Sequence, residues 1–211
     1  MSRPGARQNG WRRGWIAAGA GLLAVAGVGA VVSADHFRDP DTWPPDRSAA
    51  QAEGALSLPE FFDGSATSSG TITTALIFDE AFTATFAGTA SGNGLQLDER
   101  FEFDDGSRLQ RWDLARLADG TYRGTVRTEL SDGTLAPAVP VAGWTFADGV
   151  VLAYDGYAPG GGHTLLGFRH VMRPLETGNV RNRVTISKFG VAIASADVTF
   201  RRGGGPAGQG A

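Results

Sequence analysis

At 211 residues the chain has room for one domain of about 150 residues beside any leader and linker, enough to bury a true core. It has no cysteine, which excludes disulfides, thiolate metal sites and an acylated N-terminal Cys, and its 31 glycines favour short strands and tight turns over helices. The formal charge is −3, but residues 1–34 hold four arginines (Arg3, Arg7, Arg12, Arg13) and no acid. The rest therefore carries 15 basic against 22 acidic side chains, and a body this acidic is a poor partner for nucleic acid.

In chain order, Gly14–Ala34 is a 21-residue stretch without a charge, long enough to cross a bilayer as a helix. The arginines before it predict a cytoplasmic N-terminus and an exported remainder. A cleaved signal peptide, with Val32-Ser33-Ala34 as its small-residue site, fits the same residues, and Arg12-Arg13 is compatible with twin-arginine export. All of these place the rest of the chain outside the cytoplasm, on the periplasmic or extracytoplasmic side. A buried core helix would be the alternative. Asp35–Gly54, with Pro40, Pro44 and Pro45, reads as an extended linker. Residues 203–211 are Gly, Pro, Ala and Gln and read as a disordered tail.

Between 55 and 202 the hydrophobic period is two. Phe82, Ala84 and Phe86 share one face with Thr83 and Thr85 on the other; Tyr122, Gly124, Val126, Thr128 and Leu130 oppose Arg123, Thr125, Arg127 and Glu129. Further strands are expected at 65–73, 139–147, 150–157, 164–172, 180–187 and 191–201. Asp119-Gly120, Asp132-Gly133, Asp148-Gly149 and Gly160-Gly161-Gly162 separate several of them. No helical pattern follows the leader. The expectation is an all-β domain, a single antiparallel up-and-down barrel of about eight to ten strands, lipocalin- or calycin-like, because closure removes exposed edges.

The most informative segment is 95–117, two alternating runs joined by Asp104-Asp105-Gly106. One face of the first reads Leu95, Leu97, Glu99, Phe101, Phe103. A three-residue loop with its glycine left-handed sets Glu99 opposite Arg111, Phe101 opposite Leu109 and Glu102 opposite Arg108; a two-residue Asp105-Gly106 turn sets Glu99 opposite Trp112 instead. The first register predicts an inward ion pair, which either binds an anionic ligand head through Arg111 or fixes strand register. Trp112, Tyr122, Trp144 and Phe146 either line a ligand pocket or fill the interior. Arg169, His170, Arg173, Arg181 and Arg183 form the one basic concentration, read as a solvated face or an anion site. The histidines His36, His163 and His170 lack metal-ligand spacing, so neither a metal nor a cofactor is expected. No nucleophile elbow, phosphate loop or dinucleotide fingerprint is present. Asp98 and Asp113 belong to the polar faces of their strands.

Several short motifs occur in order: Phe61-Phe62-Asp63-Gly64; Leu97-Asp98-Glu99-Arg100-Phe101 with Asp105-Gly106; Arg111-Trp112; Tyr122-Arg123-Gly124-Thr125; Asn182-Arg183; and Lys188-Phe189-Gly190 before a last strand ending at Phe200. In these the chain resembles the DUF3833-type bacterial envelope proteins, usually lipoproteins. The resemblance implies an envelope location and a compact β domain, and no known activity. It marks Asp63, Gly64, Asp105, Gly106, Arg183, Lys188, Phe189 and Gly190 as motif residues. The chain departs from the family in lacking a lipobox cysteine, and in reading Phe168-Arg169-His170-Val171-Met172 where a Phe-Asp-Asp-Trp-Met-like segment is usual. The functional expectation is a non-enzymatic envelope barrel, bound to the membrane by its N-terminal helix or released, that holds a small apolar or lipid-like ligand. The alternatives are an enzyme using Glu99 as acid/base and Arg111 as stabiliser on a lipid-like substrate, and a structural or partner-binding envelope module.

Overall fold

The computed structural model describes residues 56–74, 78–146 and 148–203. The expected leader (1–34), the linker (35–54) and the tail beyond Gly203 lie outside the described residues, and with them the question of a membrane-crossing helix. One short helix, α1 (Leu58–Phe62), precedes ten strands: β1 (Gly64–Thr74), β2 (Phe78–Ser91), β3 (Gly94–Phe103), β4 (Gly106–Arg116), β5 (Thr121–Thr128), β6 (Val139–Phe146), β7 (Gly149–Gly156), β8 (Leu166–Pro174), β9 (Val180–Lys188) and β10 (Val191–Arg202). Each strand pairs antiparallel with its sequence neighbours, and β10 returns to β1, so the sheet closes into an up-and-down barrel.

The barrel follows from the period-two pattern. Along β2, Phe82, Ala84 and Phe86 are buried while the intervening threonines are exposed, and β3, β4 and β5 repeat the alternation. Three connections use one device. Leu117–Thr121, Leu130–Thr134 and Leu175–Asn179 each place a glycine (120, 133, 178) at φ between 77° and 80°, and the glycine N–H donates to the carbonyl of the leading leucine at 2.9–3.0 Å. In the first two an aspartate, Asp119 or Asp132, also accepts from the backbone and hydroxyl of the following threonine.

The two ends of the barrel differ. At the lower end, where β1 begins, α1 acts as a plug. Its Ser57-Leu58-Pro59-Glu60 start is a capping sequence, with Ser57 Oγ accepting from Glu60 N and proline in the first turn. Phe62 packs on the inward rings of Phe86 (5.2 Å) and Phe200 (5.4 Å), and Leu58 N donates to the Tyr122 hydroxyl at 3.2 Å. Asp63 ends the helix and accepts from Ala90 N, Arg202 donates to the carbonyls of Glu60 and Phe61, and Gly88 gives way to the plug: a Cβ there would lie 1.9 Å from the Phe62 carbonyl oxygen. The absence of any helix after the leader, expected from the pattern, is corrected here; five residues are too few to show a helical period.

At the upper end the interior is more accessible. The partly buried apolar strand residues that pack against the core, Ile72, Phe101, Phe103, Val139, Leu166 and Ile186, all sit in the upper halves of their strands. Below them Leu95, Tyr122, Val150 and Val180 are fully enclosed.

Candidate functional site inside the barrel

The β3–β4 hairpin turns on two residues, Asp104 and Asp105. Phe103 pairs with Gly106, whose φ of 132° opens β4, and Asp105 carries an ion pair to Arg108 at 3.2 Å. This register differs by one from the expected three-residue loop, and a one-residue shift changes every cross-strand partner. Glu99 therefore faces Gln110, and Arg111 faces Asp98. The expected Glu99–Arg111 pair does not form. Arg111 bonds Asp98 at 3.1 Å on the outer surface, where both side chains are about half exposed (54% and 49%). Trp112 and Gln110 point inward in its place.

Glu99 is thus a buried carboxyl, 8% exposed, and among the described residues no cation pairs with it. It accepts one hydrogen bond, from the Trp112 indole N–H at 3.0 Å. Burial pushes its pKa up from 4.5 to about 8 against the opposing pull of that hydrogen bond, so at neutral pH it is mostly a protonated, uncharged acid. Around it the strands deliver a ring of polar and aromatic groups. Gln110 donates to Thr128 Oγ1 at 2.9 Å and also bonds Tyr154, whose hydroxyl burial holds well above its ordinary pKa. Tyr154 stacks on Phe168 (4.9 Å) and on His170 (5.7 Å), and Trp112 meets both Tyr154 and His170 edge-on at 87° and 90°.

His170 sits beside Asn182, with Nδ1 3.2 Å from the amide nitrogen. That amide donates, so Nδ1 accepts and the proton of the neutral ring lies on Nε2. Burial lowers the His170 pKa from 6.5 to about 4, which keeps the ring neutral. Both outer atoms of this pair, His170 Nε2 and Asn182 Oδ1, are buried and have no hydrogen-bond partner. Buried polar groups are ordinarily satisfied; Ser68 Oγ is another inward atom without a partner, but here an open donor and an open acceptor lie on two side chains already in contact.

The other expected site residues fall elsewhere. Tyr122 is inward but belongs to the plug, not to the polar cluster. Trp144 and Phe146 face outward, where Phe146 joins Val151 and Val171 in a separate cluster under the Arg173 guanidinium; the inward residue between them is Thr145. The basic concentration divides by parity: His170 turns inward, while Arg173 pairs with Asp148, and Arg181 and Arg183 with Asp197, on the outer face. Gln110, Thr128, Tyr154 and Asn182 were not expected, and Tyr154 and Asn182 carried a signal: both are polar residues on the apolar parity of their strands.

A family model described as "Protein of unknown function (DUF3833)" matches residues 45–202, most of the chain and the whole barrel. The chain belongs to the DUF3833 family. No curated protein matches it. Within this DUF3833 protein the motif residues have mainly architectural positions. Asp63 and Gly64 close the plug, Asp105 and Gly106 form the β3–β4 turn, and Arg183 lies 3.6 Å from Asp197 outside the barrel. Lys188-Phe189-Gly190 makes the β9–β10 hairpin at the upper end, with Phe189 at φ 52° and Gly190 at 78°. The segment 168–172 brings His170 into the interior on the same face as Phe168 and Met172.

Proposed function

We propose that this protein binds a small apolar or amphipathic ligand inside a lipocalin-like barrel and works in the bacterial envelope, without catalysing a reaction. The observation that carries the reading is the asymmetry of the interior: a plug seals the lower end, and partly accessible apolar walls lead from the upper end toward a cluster with open hydrogen-bonding atoms. Binding sites for such ligands combine mostly apolar walls with a few convergent polar groups. The exposed apolar residues Phe78, Leu165, Phe189 and Val191 ring that same upper end, which suits entry of a lipid-like molecule. The uncharged 21-residue stretch behind four arginines supports an extracytoplasmic barrel, tethered or released.

Native mass spectrometry of the protein isolated from its own membranes, followed by organic extraction, tests the reading. A stoichiometric apolar adduct is expected. Protein that is consistently empty and takes up no apolar probe refutes it. One observation favours a second reading: an acid with a pKa of about 8 can donate and accept protons near neutrality, so Glu99 could serve acid–base chemistry on a bound lipid-like molecule. In that reading Arg111, outside the barrel, takes no part. A Glu99→Gln protein that fully complements a deletion strain eliminates it.

A further inference from the structure

The geometry points to an uncharged, hydroxyl-bearing amphiphile as the ligand, its hydroxyl seated between His170 Nε2–H and Asn182 Oδ1 and its chain running up the apolar wall toward Phe101, Phe103 and Leu166. This inference rests on the ligand-binding reading above and adds the chemistry of the head group.

Complementarity selects the head group. His170 offers a buried N–H with nothing to receive it, and Asn182, 3% exposed, offers a buried carbonyl oxygen with nothing to donate to it. A hydroxyl accepts from the first and donates to the second. A carboxylate head accepts but cannot donate, and at this depth it needs either a cation or, like Glu99, a proton, whose uptake at pH 7 weakens binding. Among the described residues the cluster has none: His170 is neutral, Arg111 is outside, Arg108 is held by Asp105 at the upper turn, and Lys188 lies over the Phe189 ring at the rim. An ammonium head donates but has no lone pair for the His170 N–H, and Glu99 would have to give up its proton to balance the charge. Leaving one buried partner unmade costs more than a typical hydrogen bond returns, so head-group discrimination should be strong. The aromatic faces of Trp112, Tyr154 and Phe168 add an apolar neck around the head.

Three probes of equal chain length, 1-dodecanol, dodecanoate and dodecylamine, are titrated into the full-length protein at pH 7 and followed by tryptophan fluorescence and calorimetry. The alcohol is expected to bind at least tenfold tighter than either charged probe. Asn182→Leu is expected to weaken the alcohol roughly tenfold and to shrink its advantage, and His170→Phe to do the same. The comparison of the three probes on the unmodified protein stands even where a variant fails to fold. Tightest binding by dodecanoate or dodecylamine overturns the hydroxyl assignment while leaving ligand binding in place. Alcohol affinity that is unchanged in a folded Asn182→Leu protein also overturns it. Failure of all three probes overturns the ligand-binding reading itself.

Discussion

Glu99→Gln isolates the buried acid. In the unfolded chain Glu99 titrates near 4.5, and in the barrel near 8, so across that window the folded state holds a proton that the unfolded state has lost. The contribution of this group to stability is complete below pH 4.5 and is lost as pH rises to 8, at about 1.4 kcal/mol per pH unit and about 5 kcal/mol in all. His170 runs the other way. Its pKa falls from 6.5 to about 4, so its contribution is complete above 6.5 and is lost toward pH 4. Between 4.5 and 6.5 the slopes of these two groups cancel, and from there to pH 8 the two together take about 2 kcal/mol from the unmodified protein, beside whatever fall Glu80, whose pKa burial also raises, adds. Glutamine keeps an acceptor for the Trp112 N–H and cannot ionise. The variant should match the parent near pH 4.5 and exceed it by several kcal/mol at pH 8.5. Urea unfolding of both proteins at half-unit steps from pH 4.5 to 8.5 measures the difference, in which the other titrating groups drop out. A difference that does not change with pH would mean that Glu99 is ionised in the folded protein and the site is not the neutral one described.

Three further perturbations probe the surroundings. Trp112→Phe removes the one hydrogen bond to Glu99 found among the described residues, so the loss of stability that begins near pH 4.5 should run on to higher pH, at an added cost of roughly 1–3 kcal/mol; the same urea series reads both. Arg111→Ala breaks an exposed pair and should change stability by about 1 kcal/mol or less, whereas a loss near 3–5 kcal/mol would signal a buried pair after all. Gly88→Ala drives a methyl into the Phe62 carbonyl and should cost about 1–3 kcal/mol, with faster amide exchange at Leu58 and Ala90 showing that the plug has loosened.

The closed barrel could be read from the chain because inward and outward residues alternate so regularly, and Glu99 stood out as a carboxylate among Leu95, Leu97, Phe101 and Phe103. Its partner could not be read so easily. The face of a strand is set by parity, but register is set by the turn, and Asp104-Asp105-Gly106 admits several turns that differ by one residue. The structure uses the one with both aspartates in the loop, and that single step exchanges an inner arginine for an inner tryptophan. Trp144 and Phe146 show the converse limit: an aromatic residue on a strand carries no mark of its face when the neighbouring parity, here Gly143 and Thr145, is small. His170 stands among arginines in the sequence, and only Phe168 and Met172, two residues away on either side, mark its face as the inner one. A five-residue helix such as the plug is legible only through its capping residues, Ser57 and Glu60.

Ligand binding requires an interior that can be reached from the upper end as far as Trp112. The indole N–H resonances, with Trp112 assigned through Trp112→Phe, report this directly during addition of 1-dodecanol. The Trp112 signal should shift saturably while that of Trp144, on the outer wall, stays in place. A Trp112 signal that does not move at saturating probe, or that moves only together with Trp144, would contradict it.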